Sequence, residues 1–229
     1  FTELKLTGEL SKIGMGGNWG TFINNKQITK CDLTGVTGWG RTPTLPELAF
    51  MNCTALQEVT LPDDVRVIGE YAFVNCAALI TVSLSQVVQI DEGAFKGCTS
   101  LAELTLDNVT AIGLDAFFGC TSLQTLKIPK CTRFGNYIVT GCSSLTRIEA
   151  TAAGDFVDMD NDSIERNAVF HNRSTHSGDN AFNPANCDLV LNVDKKEDGS
   201  AVPKVSNGNG WTVAQYSGPL MIWKSIGFQ

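Results

Sequence analysis

Five cysteines recur at a near-constant interval: Cys53, Cys76, Cys98, Cys120 and Cys142, one step of 23 residues followed by three of 22. Each stands in the same short phrase, from Asn52-Cys53-Thr54-Ala55-Leu56 through Gly97-Cys98-Thr99-Ser100-Leu101 to Gly141-Cys142-Ser143-Ser144-Leu145. A fixed period of about 20–50 residues marks stacked, near-identical coils, none of which can bury its apolar side alone. The chain is thereby constrained to a solenoid. Such architectures offer an extended surface more often than a catalytic pocket.

The phrase leads into a strand in every coil. Leu101-Ala102-Glu103-Leu104-Thr105-Leu106 is apolar at 101, 104 and 106, and its last part alternates with the period of two of a half-buried strand. Equivalent lines are Leu56/Val59/Leu61, Leu79/Val82/Leu84, Leu123/Leu126/Ile128 and Leu145/Ile148/Ala150, with Phe1/Leu4/Leu6 and Ile28/Cys31/Leu33 upstream. Asp188-Leu189-Val190-Leu191 gives an eighth. The outward residues of these strands, Glu3/Lys5, Lys30/Asp32, Glu58/Thr60, Thr81/Ser83, Glu103/Thr105, Thr125/Lys127 and Arg147/Glu149, place Glu3 by Lys30 by Glu58, and Lys127 by Glu149. Lateral pairs of this kind stabilise a sheet by ~0.2–1 kcal/mol each. No aromatic residue is among them, so the face lacks a stacking platform for sugars or bases.

After each strand comes a return path with its own code: Val109, Ile112, Ala116, Phe117 and Cys120 in one coil, Val87, Ile90, Ala94, Phe95 and Cys98 in another. Ala, Phe and Cys at i, i+1 and i+4 predict one helical turn wedged on the strand row. Phe50, Phe73, Phe95 and Phe117 then stack as an internal ladder, with Val139 taking that place in the fifth coil. The full phrase appears as Ile68-Gly69-Glu70-Tyr71-Ala72-Phe73-Val74-Asn75-Cys76-Ala77-Ala78-Leu79 and as Ile112-Gly113-Leu114-Asp115-Ala116-Phe117-Phe118-Gly119-Cys120-Thr121-Ser122-Leu123.

These phrases closely resemble the BspA-like class of leucine-rich repeats, whose pattern runs from a strand into Ile-Gly-x-x-Ala-Phe-x-x-Cys-x-x-Leu. The resemblance implies an α/β solenoid: a right-handed leucine-rich-repeat superhelix with one parallel β-sheet and short helical or 3-10 turns on the return side. Residues 1–229 form a single domain in this reading. Residues 1–44 are an N-terminal cap, 45–150 the regular repeats, 151–187 an insertion, and 188–229 a closing strand and terminal cap. Members of the class are largely secreted or outer-surface proteins of gut and oral bacteria, implicated in adhesion to host or bacterial proteins. The resemblance therefore implies a cell-surface or extracellular location, with any leader or lipid-anchor segment lying outside this sequence.

The eight cysteines invite a disulfide framework, but the period argues against one for the five of the ladder. Identical side chains in successive coils point the same way, whereas a disulfide needs two Cβ atoms turned towards each other. Cysteine packs well as a small buried hydrophobe. Cys31 and Cys131 replace aliphatic residues of the repeat and read likewise; Cys187 falls outside the pattern. No pair has the short C-x₂₋₄-C spacing of zinc sites. The net charge of −7 disfavours nucleic acid and anionic membrane surfaces as partners. No apolar run approaches the ~20 residues of a membrane span.

Residues 151–187 depart from the pattern. Ile148 to Leu189 is almost two periods, and the segment is polar, so it reads equally as a projecting loop or as a degenerate coil. Asp158, Asp160 and Asp162 begin like a calcium loop, but Ser163 stands where Gly is required and Val169 where the bidentate Glu belongs. His171 and His176 are spaced i, i+5, which matches no metal motif, and a solvated loop is their commoner setting. Gly14-Met15-Gly16-Gly17 lacks the Lys-Ser/Thr of a phosphate loop. Trp19, Trp39, Trp211 and Trp223 lie towards the ends, where terminal coils need apolar lids. Trp39, in Gly38-Trp39-Gly40-Arg41, is the least explained as a lid.

The expected function is non-catalytic binding of a protein partner by a monomer, without cofactor, metal or catalytic residue. Candidate contact residues are Trp39, Arg41, Asp158, Asp160, Asp162, His171, Arg173 and His176. The alternatives are a structural spacer within a larger surface protein and, more distantly, a hydrolase with its site in 151–187. The outward strand face is either a polar docking surface or merely solvated; the absence of Trp and Tyr leans towards the latter.

Overall fold

The computed structural model describes residues 2–9, 22–135, 137–151, 157–158, 187–192 and 225–228. Its strands fall into two parallel rows that run the length of the array. The first is the expected strand row: β1 (Glu3–Glu9), β2 (Lys30–Thr37), β4 (Glu58–Thr60), β6 (Thr81–Val82), β8 (Glu103–Thr105), β10 (Thr125–Ile128), β12 (Arg147–Thr151), β14 (Asp188–Asn192) and β15 (Ser225–Phe228). The second lies on the return side: β3 (Thr44–Leu45), β5 (Val67–Ile68), β7 (Gln89–Ile90), β9 (Ala111–Ile112), β11 (Arg133–Phe134) and β13 (Val157–Asp158). Register follows the repeat, with Glu58 on Thr81, Thr125 on Glu103, and Gln89 on Ala111.

Two expectations are corrected. There are three sheets rather than one: β1-β2-β4-β6, then β8-β10-β12-β14-β15 separately, and the return-side row β3-β5-β7-β9-β11-β13. Among the described residues there is also no helix, so these parts are an all-β solenoid rather than α/β.

The backbone explains why the helical spacing misled. Residues two before and two after each ladder phenylalanine have left-handed backbone: Leu48 and Asn52, Tyr71 and Asn75, Gly93 and Gly97, Asp115 and Gly119, and Tyr137 and Gly141 around Val139. A left-handed residue every fourth position stops a right-handed helix from propagating. The arc instead splits its amides by parity. The N–H groups of Leu48, Phe50 and Asn52 donate to Glu70, Ala72 and Val74 of the next coil, at 2.9, 2.7 and 2.8 Å. Those of Ala49, Met51 and Cys53 close local turns on Pro46, Leu48 and Phe50. The scheme repeats with Tyr71, Phe73 and Asn75 donating to Glu92, Ala94 and Lys96.

One continuous core fills the space between the rows. Phe50, Phe73, Phe95 and Phe117 are fully buried and stack at centroid distances of 5.4, 5.2 and 5.8 Å. Phe22 extends the stack by one ring, 5.4 Å from Phe50. All eight cysteines are buried, Cys187 included, and none is in a disulfide. The five ladder thiols do more than pack. Each donates to the carbonyl of the phenylalanine one coil back: Cys53 to Phe22, Cys76 to Phe50, Cys98 to Phe73, Cys120 to Phe95 and Cys142 to Phe117, at 2.8–3.2 Å. On the return surface, Lys96 pairs at 2.8 Å with the buried Asp115 and lies 4.6 Å above the Phe118 ring.

Two predictions follow from this packing. Gly119 has φ +72°, and a built Cβ would make only ordinary contact with the Gly97 backbone at 4.0 Å, so Gly119→Ala isolates the backbone term and should cost about 1 kcal/mol in chemical denaturation. Gly119→Asn should cost less, because Asn52 and Asn75 hold the equivalent conformation in two other coils.

Burial pushes the thiols of Cys31, Cys120 and Cys131 up to about 12 and that of Cys53 to about 11, from an ordinary 9.0. It raises Cys76, Cys98 and Cys142 as well. A raised pKa in the folded state means that the neutral thiol is favoured there. Its contribution is complete below the unfolded value and is lost as pH climbs towards the folded one. Stability should therefore be level up to about pH 9 and then fall by about 1.4 kcal/mol per pH unit for each such thiol. Thermal melts between pH 7 and 11 check this, and native protein at neutral pH should show no thiol reactive to a disulfide reagent.

Candidate interaction surface

The strand row presents its outward residues as one face, and the register places the charges as the sequence predicts. Glu3 aligns with Lys30 and Lys30 with Glu58. Lys5 pairs with Asp32 at 2.7 Å, Lys30 with Glu58 at 3.5 Å, and Lys127 with Glu149 at 3.8 Å; Arg147 reaches Glu149 at 2.7 Å. The Lys5 ammonium and the Thr34 hydroxyl and amide, all hydrogen-bonded to Asp32, lower its carboxyl to about 2. A depression of about 390 Å³ lies over this charged end, lined by Glu3, Lys5, Lys30, Asp32, Glu58 and Thr60. Lys5 and Lys30 are paired there with Asp32 and Glu58, and exposed pairs of this type contribute little to stability.

A different surface appears in the middle of the row, where the ladder is interrupted. β6 pairs only with β4, and β8 only with β10. In the coils on either side, Ile80 N–H donates to Gln57 O at 2.9 Å and Gln124 N–H to Ala102 O at 2.8 Å. The corresponding amides of Ala102 and Glu103 make no such bond to Ile80. Ser83, on the side of β6 that faces β4, is irregular as well. Its hydroxyl takes the Leu61 N–H at 2.6 Å, whereas in the later coil Leu106 N–H goes to the backbone carbonyl of Lys127. The side chain has replaced the main-chain acceptor, and regular strand geometry ends at Val82.

The seam opens a depression of about 420 Å³, floored by Val82, Leu84, Leu101, Ala102 and Leu104 and bordered by Ile80 and Glu103. Ile80 is 57% exposed, while Val82 is half-buried where its counterparts Val59, Leu104 and Leu126 are buried. Glu103 makes no ion pair; Thr125 lies beside it on one strand and the open seam on the other.

Sequence reasoning did not single out this seam, although one signal was present. The column holding Ile80 reads Gln57, Ala102, Gln124 and Thr146 elsewhere, so a large aliphatic residue is out of place at a solvent-facing position. Of the residues that were singled out, Trp39 is in the core at 6% exposure and donates its indole N–H to Val36 O at 2.8 Å. That is the lid role, leaving exposed Arg41 as the accessible member of its phrase. The backbone at Asp158 continues the return-side row, Phe134 pairing with Asp158, so the array includes at least that part of 151–187. Asp160, Asp162, His171, Arg173 and His176 lie outside the described residues, as do Trp19, Trp211 and Trp223. No cluster of three or more metal-ligating side chains occurs among the described residues, and no helix there is long and apolar enough to cross a membrane.

The model of the BspA type leucine rich repeat region matches residues 21–146 in six copies. The chain belongs to that family. Its repeats are also similar to those of a leucine rich cell surface protein from Faecalibacterium prausnitzii, with 30% identity, a TM-score of 0.50, and coverage of 57% of this chain and 34% of that one. A leucine-rich repeat protein from Eubacterium ventriosum, 17% identical, shares the fold at a TM-score of 0.50 over 98% of this chain and 57% of its own. The chain thus spans about a third to under three fifths of the length of these relatives. No curated protein matches the sequence.

The interrupted ladder carries a direct measurement. Amide hydrogen exchange of the native chain should be faster at Ala102 and Glu103 than at Gln124 and Thr146, whose N–H groups are bonded to the preceding coil. Equal protection at all four amides would show that the seam is closed in solution.

Proposed function

We propose that this chain is a non-catalytic, surface-displayed protein-binding module that adheres to host or bacterial surface proteins. The observation that carries the reading is the apolar seam within an otherwise polar, charge-paired strand face. Isolated exposed apolar residues need no explanation, but an apolar depression set in a polar surround is the usual form of a contact site. Two further features favour it. The chain belongs to the BspA type leucine rich repeat family and its repeats are similar to those of a cell surface protein, and solenoids present long faces suited to protein contact. Arg41 and the charged residues Asp158, Asp160, Asp162, His171, Arg173 and His176 are carried in this reading as additional contacts.

The experiment is retention on immobilised full-length chain of purified host matrix, mucosal and bacterial surface proteins, read by biolayer interferometry. Saturable binding of at least one protein, competed by free chain, is the expected outcome. Absence of any saturable binder across the panel would instead favour a spacer that carries other domains.

A further inference from the structure

We infer that the strand face pairs with a second copy of this chain, the two faces being related by a two-fold axis that runs along the row, so that the apolar seams meet. The inference rests on the protein-binding reading above and names the partner at the seam: a neighbouring copy, in place of the monomer expected from the sequence. An interface around a two-fold axis uses the same patch on both copies, so the patch must be complementary to itself. An axis along the row keeps the coils in order and reverses the strands. Each strand then lies over its own copy, antiparallel, and its outward residues must match one another.

They match in every strand of the row from β1 to β12. With the axis midway between the two outward columns, the first outward residue of each strand stands over the second of its copy. Glu3 meets Lys5, Lys30 meets Asp32 and Arg147 meets Glu149, opposite charges in each case. Glu58 meets Thr60, Glu103 meets Thr105 and Lys127 meets Thr125, a charge against a hydroxyl, while Thr81 meets Ser83. Within these columns no like charges are opposed. The alternative two-fold, along the strands and through the seam, sets β2 on β12 and opposes Lys30 to Arg147 and Asp32 to Glu149. Charge thus selects one arrangement over the other. The outward residues balance four cations against five carboxylates, so the face carries little of the net charge of −7 that holds copies apart.

The seam fits the same axis. Ile80 precedes Thr81 by one residue and Leu84 follows Ser83 by one, so the axis that lays Thr81 over Ser83 lays Ile80 of each copy over Leu84 of the other. Leu84 lines the depression that Ile80 borders. The exposed side chain of each copy therefore caps the depression of the other, and the half-buried Val82 stands at the axis. An apolar centre ringed by paired charges is the build of a specific interface. Because the axis runs along the row, the two solenoids stand side by side and point the same way, as neighbours on one surface would.

Sedimentation velocity of the full chain over a concentration series tests the pairing, and a monomer–dimer equilibrium with Kd below about 1 mM is expected. Ile80→Asp, at an exposed position and checked for unchanged melting, should weaken it at least about tenfold. Arg147→Glu opposes carboxylates across the axis and Glu149→Arg opposes guanidinium groups, so each variant alone, with melting again unchanged, should weaken it at least about tenfold. An equimolar mixture of these two variants sets carboxylates against guanidinium groups at both positions and should dimerise again. Damage to the fold of either variant could not produce that recovery. A chain that stays monomeric across the series, a dimer that Ile80→Asp leaves intact, or a mixture that does not recover would each overturn the pairing. If the chain stays monomeric while a surface protein still binds it saturably, the pairing fails and the protein-binding reading stands.

Discussion

The structure depends on how the return arc divides its backbone amides. In a helix every N–H is spent within its own segment, so a helical return packs against its neighbours through side chains alone. Here alternate N–H groups cross to the next coil and the others close local turns, as with Phe50 to Ala72 and Cys53 to Phe50. That division requires left-handed residues on both sides of each ladder phenylalanine, which natural L-residues adopt at a cost of about 1–2 kcal/mol unless glycine, asparagine or aspartate is used. Leu48, Tyr71 and Tyr137 hold the conformation regardless, which shows how strongly the inter-coil bonds determine it. The same spacing then serves the ring stack and the thiols, because each cysteine reaches the phenylalanine carbonyl one coil back while that carbonyl also accepts a local amide.

Much of this was legible from periodicity. The strand columns, the register of the charged pairs and the burial of the ladder cysteines all follow from residues that recur at fixed offsets. The path of the return arc was not legible, and the reason is physical. Ala, Phe and Cys at i, i+1 and i+4 fit a helical turn as well as they fit a tight arc. The residues that decide between the two are Leu48, Tyr71, Gly93, Asp115 and Tyr137, whose side chains share nothing. Only the glycine and asparagine column, Asn52, Asn75, Gly97, Gly119 and Gly141, carried a readable hint of left-handed backbone. Phe22 was missed because its coil lacks the cysteine phrase that dates the others; its place is visible only once Asn24, with φ 63°, is aligned with Asn52.

The candidate surface was harder still, because its origin is a departure from the repeat. Ser83 differs little from Thr60 and Thr105 as a residue type, yet its shorter, unbranched side chain is the one that takes a main-chain partner. Trp39 illustrates the opposite error. A tryptophan in a glycine-flanked loop suggests an exposed contact, but the glycines allow the chain to turn the ring inward, where Val36 satisfies its only donor.

These two sides of the coil have different freedoms. On the return side the amide ladder, the ring stack and the thiols all fix one spacing, so a change in any of them meets the other two. Gly113 makes the point: a Cβ there would stand 2.7 Å from the Glu92 nitrogen of the preceding coil. The strand row has no such redundancy, and its outward residues touch only lateral neighbours. It can therefore lose a rung between β6 and β8 while Phe73 and Phe95 stay stacked, and its outward residues can change sign or size without disturbing the core. A repeat that is rigid on one side and permissive on the other confines variation to the strand face, and that is where the seam lies.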